Sequence, residues 1–136
     1  MTTMIAARVH KYGEPMRLDR IPIPEPRSTD VLVEVKACGI VPNLARVVSN
    51  FFGSAPDPKA MPPLPAIFGL DPVGVIAKTG DQVRTVKPGD RVVLGFNSCG
   101  HCANCLGGKP AYCLEFNAYN FGGGRTDGTS AISRDG

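Results

Sequence analysis

The 136-residue sequence lacks any apolar run long enough to cross a membrane, and it lacks the apolar core of a secretory signal near its start. A membrane-spanning helix needs about 20 consecutive apolar residues, and a signal peptide has an apolar segment of roughly 7–15 residues behind a charged start. Residues 1–8 contain no such segment. We therefore expect neither a membrane partner nor secretion.

A cluster of basic residues is also missing. The net charge is only +3, and the basic side chains are scattered along the chain. In the cysteine-rich stretch, Lys109 is the single basic side chain besides His101, which is too little charge to follow a phosphate backbone. Nucleic acid is therefore not an expected partner.

The sequence has no dinucleotide-binding loop. Such a loop reads Gly-x-Gly-x-x-Gly between a strand and a helix, and Gly122-Gly123-Gly124 has neither context. We expect these residues to bind NAD(P) poorly on their own, and we assign no cofactor-binding and no catalytic residue within them.

What the sequence does contain is turn-forming residues. Its 13 prolines and 16 glycines, with a hydrophobic fraction of 43%, predict one modest, mainly β domain with short strands. Residues 53–66 are rich in proline and predict an irregular loop at the edge of a cleft. A short helix is predicted over residues 43–50, with Asn43 as its N-cap.

Alternating or continuous apolar residues predict the strands. Residues 4–9 and 16–21 are separated by a turn and predict a hairpin, and residues 31–37 are the clearest strand, with odd positions facing the core. Gly74 lies inside a further strand, so it predicts a bulge or a close backbone approach. The remaining predicted strands span residues 73–77, 91–96 and 129–133.

Four of the five cysteines lie within fifteen positions, at Cys99, Cys102, Cys105 and Cys113. Two residues between successive cysteines allow neighbouring thiolates to reach one tetrahedral ion, and the seven-residue excursion brings the last sulfur back to it. The pattern therefore predicts one structural Zn²⁺, which would supply stability that this glycine-rich loop lacks. His101 is interpreted as a solvent-facing neighbour rather than a ligand.

Disulfides, a redox Cys-x-x-Cys pair and free thiols are the alternatives. Disulfides suit secreted proteins, and a redox pair does not need a third and fourth cysteine at this spacing. Thiolates held on zinc fit a reducing compartment, so we expect the cytoplasm.

These segments together resemble the N-terminal part of the medium-chain dehydrogenase/reductase superfamily, the zinc-type alcohol dehydrogenases. The resemblance rests on the spacing of Gly69, Gly74, Gly80 and Val83, on Gly89-Asp90-Arg91-Val92, and on the four cysteines. The stretch from Cys105 to Cys113, with the later Asn120-Phe121-Gly122 and Asp127-Gly128, is most similar to the aryl-alcohol branch.

The resemblance implies a GroES-like, partly open β-barrel over residues 1–136, with a projecting structural-zinc lobe at residues 97–115. Residues 120–136 would be the incomplete end of that domain, and Asp135-Gly136 is a turn pair with no return strand behind it. In the family a nicotinamide-binding Rossmann domain follows, so the chain is interpreted as truncated before it.

The family's catalytic-zinc positions do not match. Where the family has a cysteine after a Gly-Ile pair, this chain has Val41, and where it has a histidine after glycine, this chain has Leu70. Cys38 lies three residues before Val41 and would point to the other face of a strand. Valine and leucine cannot bind a metal, so we expect no catalytic zinc.

By analogy with zinc-free relatives, Val41, Phe51 and Leu70 would line an apolar substrate pocket, although plain core packing explains them equally well. Asp71 keeps an acidic group beside this place. The expected function is the N-terminal part of an NAD(P)-dependent oxidoreductase that reduces an activated carbonyl or double bond of a small molecule, as a homo-oligomer. The alternative is a non-enzymatic zinc-binding interaction module or an inactive gene fragment.

Overall fold

The protein is mainly β in the computed structural model, which describes residues 2–39, 41–49 and 61–121. The strands of this described part are β1 (Thr3–Arg8), β2 (Arg17–Pro22), β3 (Val31–Gly39), β4 (Leu70–Thr79) and β5 (Arg91–Val93). The helices are α1 (Pro42–Val48), α2 (Ala103–Leu106) and α3 (Phe116–Asn120), with a 3₁₀ turn at Pro110–Tyr112. None of these helices has the length or apolarity to cross a membrane.

Among the described residues, the strands form two antiparallel sheets that are not closed into a barrel. Strands β1 and β2 make a hairpin, and β4 lies between β3 and β5 in the second sheet. The predicted hairpin and the strands around residues 31–37 and 73–77 are confirmed. The strand predicted at residues 91–96 is shorter than expected, since β5 ends at Val93.

The core lies where the hairpin meets the segment before β4. Val9 is fully buried, and its N–H and C=O both bond to Ala66, at 2.8 and 3.1 Å. The hairpin turn is tied to the end of α1, because the N–H of Gly13 donates to the carbonyl of Val48 at 2.8 Å. The rings of Tyr12 and Phe68 meet edge to face, with centroids 6.3 Å apart. The hairpin thus holds both segments that flank the expected substrate pocket.

The close backbone approach predicted at Gly74 is confirmed. A Cβ atom added there would collide with the carbonyl of Glu34 and lie 2.7 Å from Cγ1 of Val33. Pairing between β3 and β4 is also irregular beside this residue, with a register shift between Val35 and Ala37. Only glycine fits this crossing without moving the neighbouring strand.

The expectation that the odd residues of β3 face a core is wrong. Val31 is 39% and Val35 is 55% exposed. Three register shifts along β3 break the two-residue alternation on which the expectation depends.

The predicted N-cap of the helix is wrong as well. Val41 is the N-cap residue, with extended backbone and no capping side chain, and Pro42 takes the first helical position. Proline is favoured there because its fixed φ suits a helix and its missing N–H would have no partner in the first turn. The predictions for Phe51, Gly122-Gly123-Gly124, the strand at 129–133 and the final turn concern residues outside the described part of the chain.

Candidate metal centre

The cysteine lobe, residues 97–115, leaves the second sheet after β5 and is closed at its base by two asparagines. The N–H of Asn97 donates to Oδ1 of Asn120 at 2.7 Å, and Nδ2 of Asn120 donates back to the carbonyl of Asn97 at 2.9 Å. Beside them the rings of Phe96, Phe116 and Phe121 form a cluster, with centroids 5.2 to 6.3 Å apart. Sequence reasoning missed this closure, because an asparagine pair 23 positions apart leaves no local pattern.

Inside the lobe, short turns bring distant cysteines together. Gly100 and Gly108 have φ values of 76° and 74°, which residues with a side chain rarely adopt. Helix α2 is a single turn that carries Cys105, and Nδ2 of Asn104 on the same turn donates to the carbonyl of Tyr112 at 2.6 Å. The chain therefore doubles back so that Cys113 returns to the first three cysteines.

The four sulfur atoms lie within 4.8 Å of one another. The sulfurs of Cys99 and Cys105 are 3.8 Å apart, which is close to the edge of a tetrahedron with zinc–sulfur bonds of about 2.3 Å, roughly 3.8 Å. None of the cysteines is in a disulfide, Cys113 is buried, and the other three are half-buried. Among the described residues, this is the group of His, Cys, Asp or Glu side chains whose geometry suits a metal ion.

Backbone N–H groups point at the sulfurs. The N–H of Cys99 lies 3.3 Å from the sulfur of Cys113, and the N–H of Cys102 lies 3.3 Å from the sulfur of Cys99. Such donors favour the charged thiolate over the thiol. These donors therefore stabilise the thiolate, which is the form of cysteine that binds metal.

This environment shifts the pKa values of two of the thiols in opposite directions. The pKa of Cys102 is lowered to about 6, chiefly because the backbone N–H groups of Leu114 and Cys105 donate to its sulfur. Burial raises the pKa of Cys105 to about 11, and the neighbouring sulfurs add to that rise. Without a cation, four thiolates at this separation repel one another, and a divalent ion removes that repulsion. The donor set fits Zn²⁺, which prefers four thiolates in a closed structural site.

His101 lies outside the sulfur group. Its side chain is exposed, and its Nδ1 is 2.9 Å from the carbonyl of Cys99. This position agrees with its interpretation as a solvent-facing neighbour of the site.

The residues at the family's catalytic-zinc positions are apolar and half-buried. Val41 precedes α1, and Leu70 begins β4, where it pairs with Gly39 at the end of β3. The pairing brings Leu70 beside a residue only two positions before Val41. Phe51, the third expected pocket residue, is outside the described part of the chain.

Two polar groups lie beside Leu70. The thiol of Cys38 donates to the carbonyl of Leu70 at 3.1 Å, and a Cβ atom at Gly69 would lie 2.8 Å from the same sulfur. Asp71 is exposed and has a φ of 52°, the one described residue other than glycine in the left-handed region. Neither group belongs to a metal-binding cluster of described residues.

Comparison with known proteins identifies the family of this chain. Residues 27–132 match the family described as "Alcohol dehydrogenase GroES-like domain". The chain is 38% identical over 128 residues to geraniol dehydrogenase of Castellaniella defragrans. This alignment covers 93% of the chain and 32% of the enzyme.

Solved structures give the same result. Benzyl alcohol dehydrogenase of Acinetobacter calcoaceticus superposes with a TM-score of 0.83 at 34% identity, over 96% of the chain and 34% of that enzyme. An alcohol dehydrogenase zinc-binding domain protein of Burkholderia ambifaria superposes with a TM-score of 0.77 at 38% identity, over 96% and 34% of the two chains. The chain therefore spans about a third of the length of the relatives that it matches.

Proposed function

The chain belongs to the medium-chain dehydrogenase/reductase superfamily through its alcohol dehydrogenase GroES-like domain, and on this premise we propose that it is the structural-zinc part of an NAD(P)-dependent oxidoreductase. Residues 1–136 would form the first portion of the catalytic domain, with the zinc lobe at 97–115 and an incomplete end at 120–136. The observation that carries the proposal is the convergence of four cysteine sulfurs within 4.8 Å.

The zinc would be held by Cys99, Cys102, Cys105 and Cys113. A site with four thiolates has no open position for a substrate, so its ion stabilises the lobe and takes no part in chemistry. Bound thiolates persist in a reducing compartment, and the cytoplasm is the compartment that we propose.

A second, catalytic zinc would be absent. Val41 and Leu70 offer no donor atoms, and both side chains are half-buried beside the junction of β3 and β4. An apolar lining of this kind suits the carbon skeleton of a substrate rather than an ion. Phe51 is assigned to the proposed pocket from the sequence alone.

In a protein of the relatives' length, hydride would pass from NAD(P)H to an activated carbonyl or conjugated double bond without metal assistance. Two relatives are named for geraniol and benzyl alcohol, and by analogy the substrate class proposed here is allylic or aryl. The described residues contribute the substrate wall and not the nucleotide site. Reaction requires both partners in position, so the 136-residue chain alone would be inactive.

Metal content of the purified chain tests the proposal. Inductively coupled plasma mass spectrometry after dialysis against excess zinc should give one zinc per chain, with the variant Cys38→Ser as a control that keeps it. A second firmly held zinc would contradict the assignment of Val41 and Leu70. A fluorescence titration with NADPH should show no saturable binding. Tight binding would contradict the proposal that these residues do not form the nucleotide site.

An interaction module is the second candidate, and a surface of the lobe favours it. Leu106, Tyr112 and Leu114 are 71 to 75% exposed, which is unusual for apolar side chains so close together in sequence. In this alternative the lobe joins two copies of the chain. Sedimentation equilibrium of the native chain and of Leu106→Ser/Leu114→Ser would separate the two candidates, since only a docking surface predicts that the double variant dissociates a dimer.

A further inference from the structure

Asn120 joins the two ends of the cysteine lobe. This half-buried residue lies on α3, and its side chain exchanges hydrogen bonds with the backbone of Asn97 at 2.7 and 2.9 Å. Its Nδ2 also donates to the carbonyl of Phe116 at 2.8 Å, at the start of the same helix. The hydrogen bonds between Asn97 and Asn120, here called the asparagine bridge, thus close a loop of the chain from residue 97 to residue 120.

The sulfur cluster closes the same loop a second time. Cys99 follows Asn97 by two positions, and the N–H of Cys99 donates to the sulfur of Cys113 at 3.3 Å. On the other side, the N–H of Phe116 donates to the carbonyl of Cys113 at 3.1 Å, so α3 begins directly behind the last cysteine. A ring of backbone and hydrogen bonds therefore leads from the first cysteine through the asparagine bridge and α3 to the fourth.

Two closures of one loop reinforce each other. Holding the ends of a flexible loop together has an entropic cost that grows with the length of the loop. Once the asparagine bridge restricts residues 97–120, an ion that gathers the sulfurs has less chain to order. A bound ion in turn leaves fewer conformations in which the two asparagines separate. A coupling of this kind between two sites acts equally in both directions.

We propose that Asn120 is a positioning residue for the metal centre: it raises zinc affinity without being a ligand, and zinc in turn holds the asparagine bridge closed. This inference rests on the proposed zinc site. It adds that metal occupancy is transmitted to the base of the lobe, where the rings of Phe96, Phe116 and Phe121 pack beside the bridge.

The zinc affinity of Asn120 variants tests the proposal. In competition with a chromophoric chelator, Asn120→Ala should bind zinc about tenfold more weakly than the native chain. Asn120→Asp keeps the size of the side chain but places an oxygen where Nδ2 now donates to the carbonyl of Asn97, so it should bind no better than Asn120→Ala. Asn117→Ala is the matched control, because Asn117 is an exposed residue of the same helix, and it should bind like the native chain.

Two results with these variants would overturn the proposal. One is native zinc affinity in either Asn120 variant, and the other is an equal loss of affinity in Asn117→Ala. A native chain that binds no zinc would contradict the proposed zinc site as well. Zinc binding that is independent of Asn120 would contradict only this inference.

Hydrogen exchange in the native chain gives the reciprocal measurement and needs no variant. The N–H of Asn97 donates to Oδ1 of Asn120, so its exchange, followed by NMR, should be about tenfold slower with zinc than after chelation of the metal. The N–H of Ala66, which donates to Val9 in the core at 3.1 Å, should exchange at the same rate in both states. An Asn97 rate that does not respond to zinc would overturn the proposal, even if the Asn120 variants failed to fold.

Discussion

The cysteine lobe and the two sheets are held together by different forces. The sheets depend on backbone ladders and on buried apolar residues such as Val9 and Ile76. The lobe has helical segments of three and four residues, and three of its apolar side chains are more than 70% exposed. Its sulfur cluster replaces a core. On the proposed function, the sheets would keep their stability without metal, whereas the lobe would depend on a bound metal ion for its stability.

The largest expected effect follows from removing one sulfur. Cys113→Ser should lower zinc affinity at least about 1,000-fold, because it deletes a ligand from a closed four-thiolate site. Competition with a chromophoric chelator measures the affinity. Cys38→Ser is the matched control, since Cys38 lies on β3 outside the cluster. If both variants kept native affinity, the lobe would not be the metal site.

Removing a carboxylate next to the buried Arg8 tests how much their ion pair stabilises the hairpin. Asp19→Asn removes the carboxylate that lies 3.3 Å from the buried guanidinium of Arg8 and should lower the free energy of unfolding by about 2 kcal/mol. Urea denaturation measures this change, and zinc content should stay at one per chain. Glu14→Gln, at an exposed ion pair, should have little effect. Equal effects of the two variants would show that the burial of Arg8 is energetically unimportant.

Gly74→Ala tests the packing of the second sheet. Its Cβ would collide with the carbonyl of Glu34, so the variant should be less stable by about 2 kcal/mol in urea denaturation. Gly95→Ala is the control, because no atom lies within 4 Å of an added Cβ there. Zinc affinity should change in neither variant. A stable Gly74→Ala protein would mean that β3 and β4 are farther apart than described.

The smallest expected effect is a pH dependence confined to the lobe. At neutral pH, Cys105 still holds its proton because its pKa is raised to about 11, while Cys102, with its pKa lowered to about 6, is already a thiolate. Zinc binding should therefore release at least one proton, measured by calorimetry in buffers of different ionisation enthalpy. Below pH 6 Cys102 is protonated too, so affinity should fall by about a further tenfold per pH unit. An affinity independent of pH would exclude thiolate ligation.

Local patterns were sufficient for part of this structure. The hairpin, the close approach at Gly74 and the convergence of the cysteines all follow from spacing along the chain. The exposure of Val35 does not follow from spacing, because the register shifts that disrupt β3 arise from the pairing of β3 with β4. Burial of Arg8 does not follow from the sequence either, since the ion pair that favours a charged residue at this inward position forms with Asp19 on the neighbouring strand.

The expected substrate pocket shows the same limit. The role expected for Leu70 comes from its place in a family motif, and the structure adds its pairing with Gly39 beside the start of α1. The substrate that such a pocket accepts depends on residues that the fold brings together from distant parts of the chain, which a local strand pattern does not identify. The cysteine site is different, because all of its donors lie within one loop of fifteen residues.

X-ray absorption at the zinc K-edge of the purified chain would identify the atoms bound to the metal, and so tests whether the four cysteines hold one zinc ion. We expect a single shell of four sulfurs at about 2.3 Å. A spectrum that required nitrogen or oxygen donors would contradict it, because zinc would then be bound by His101 or at a second site.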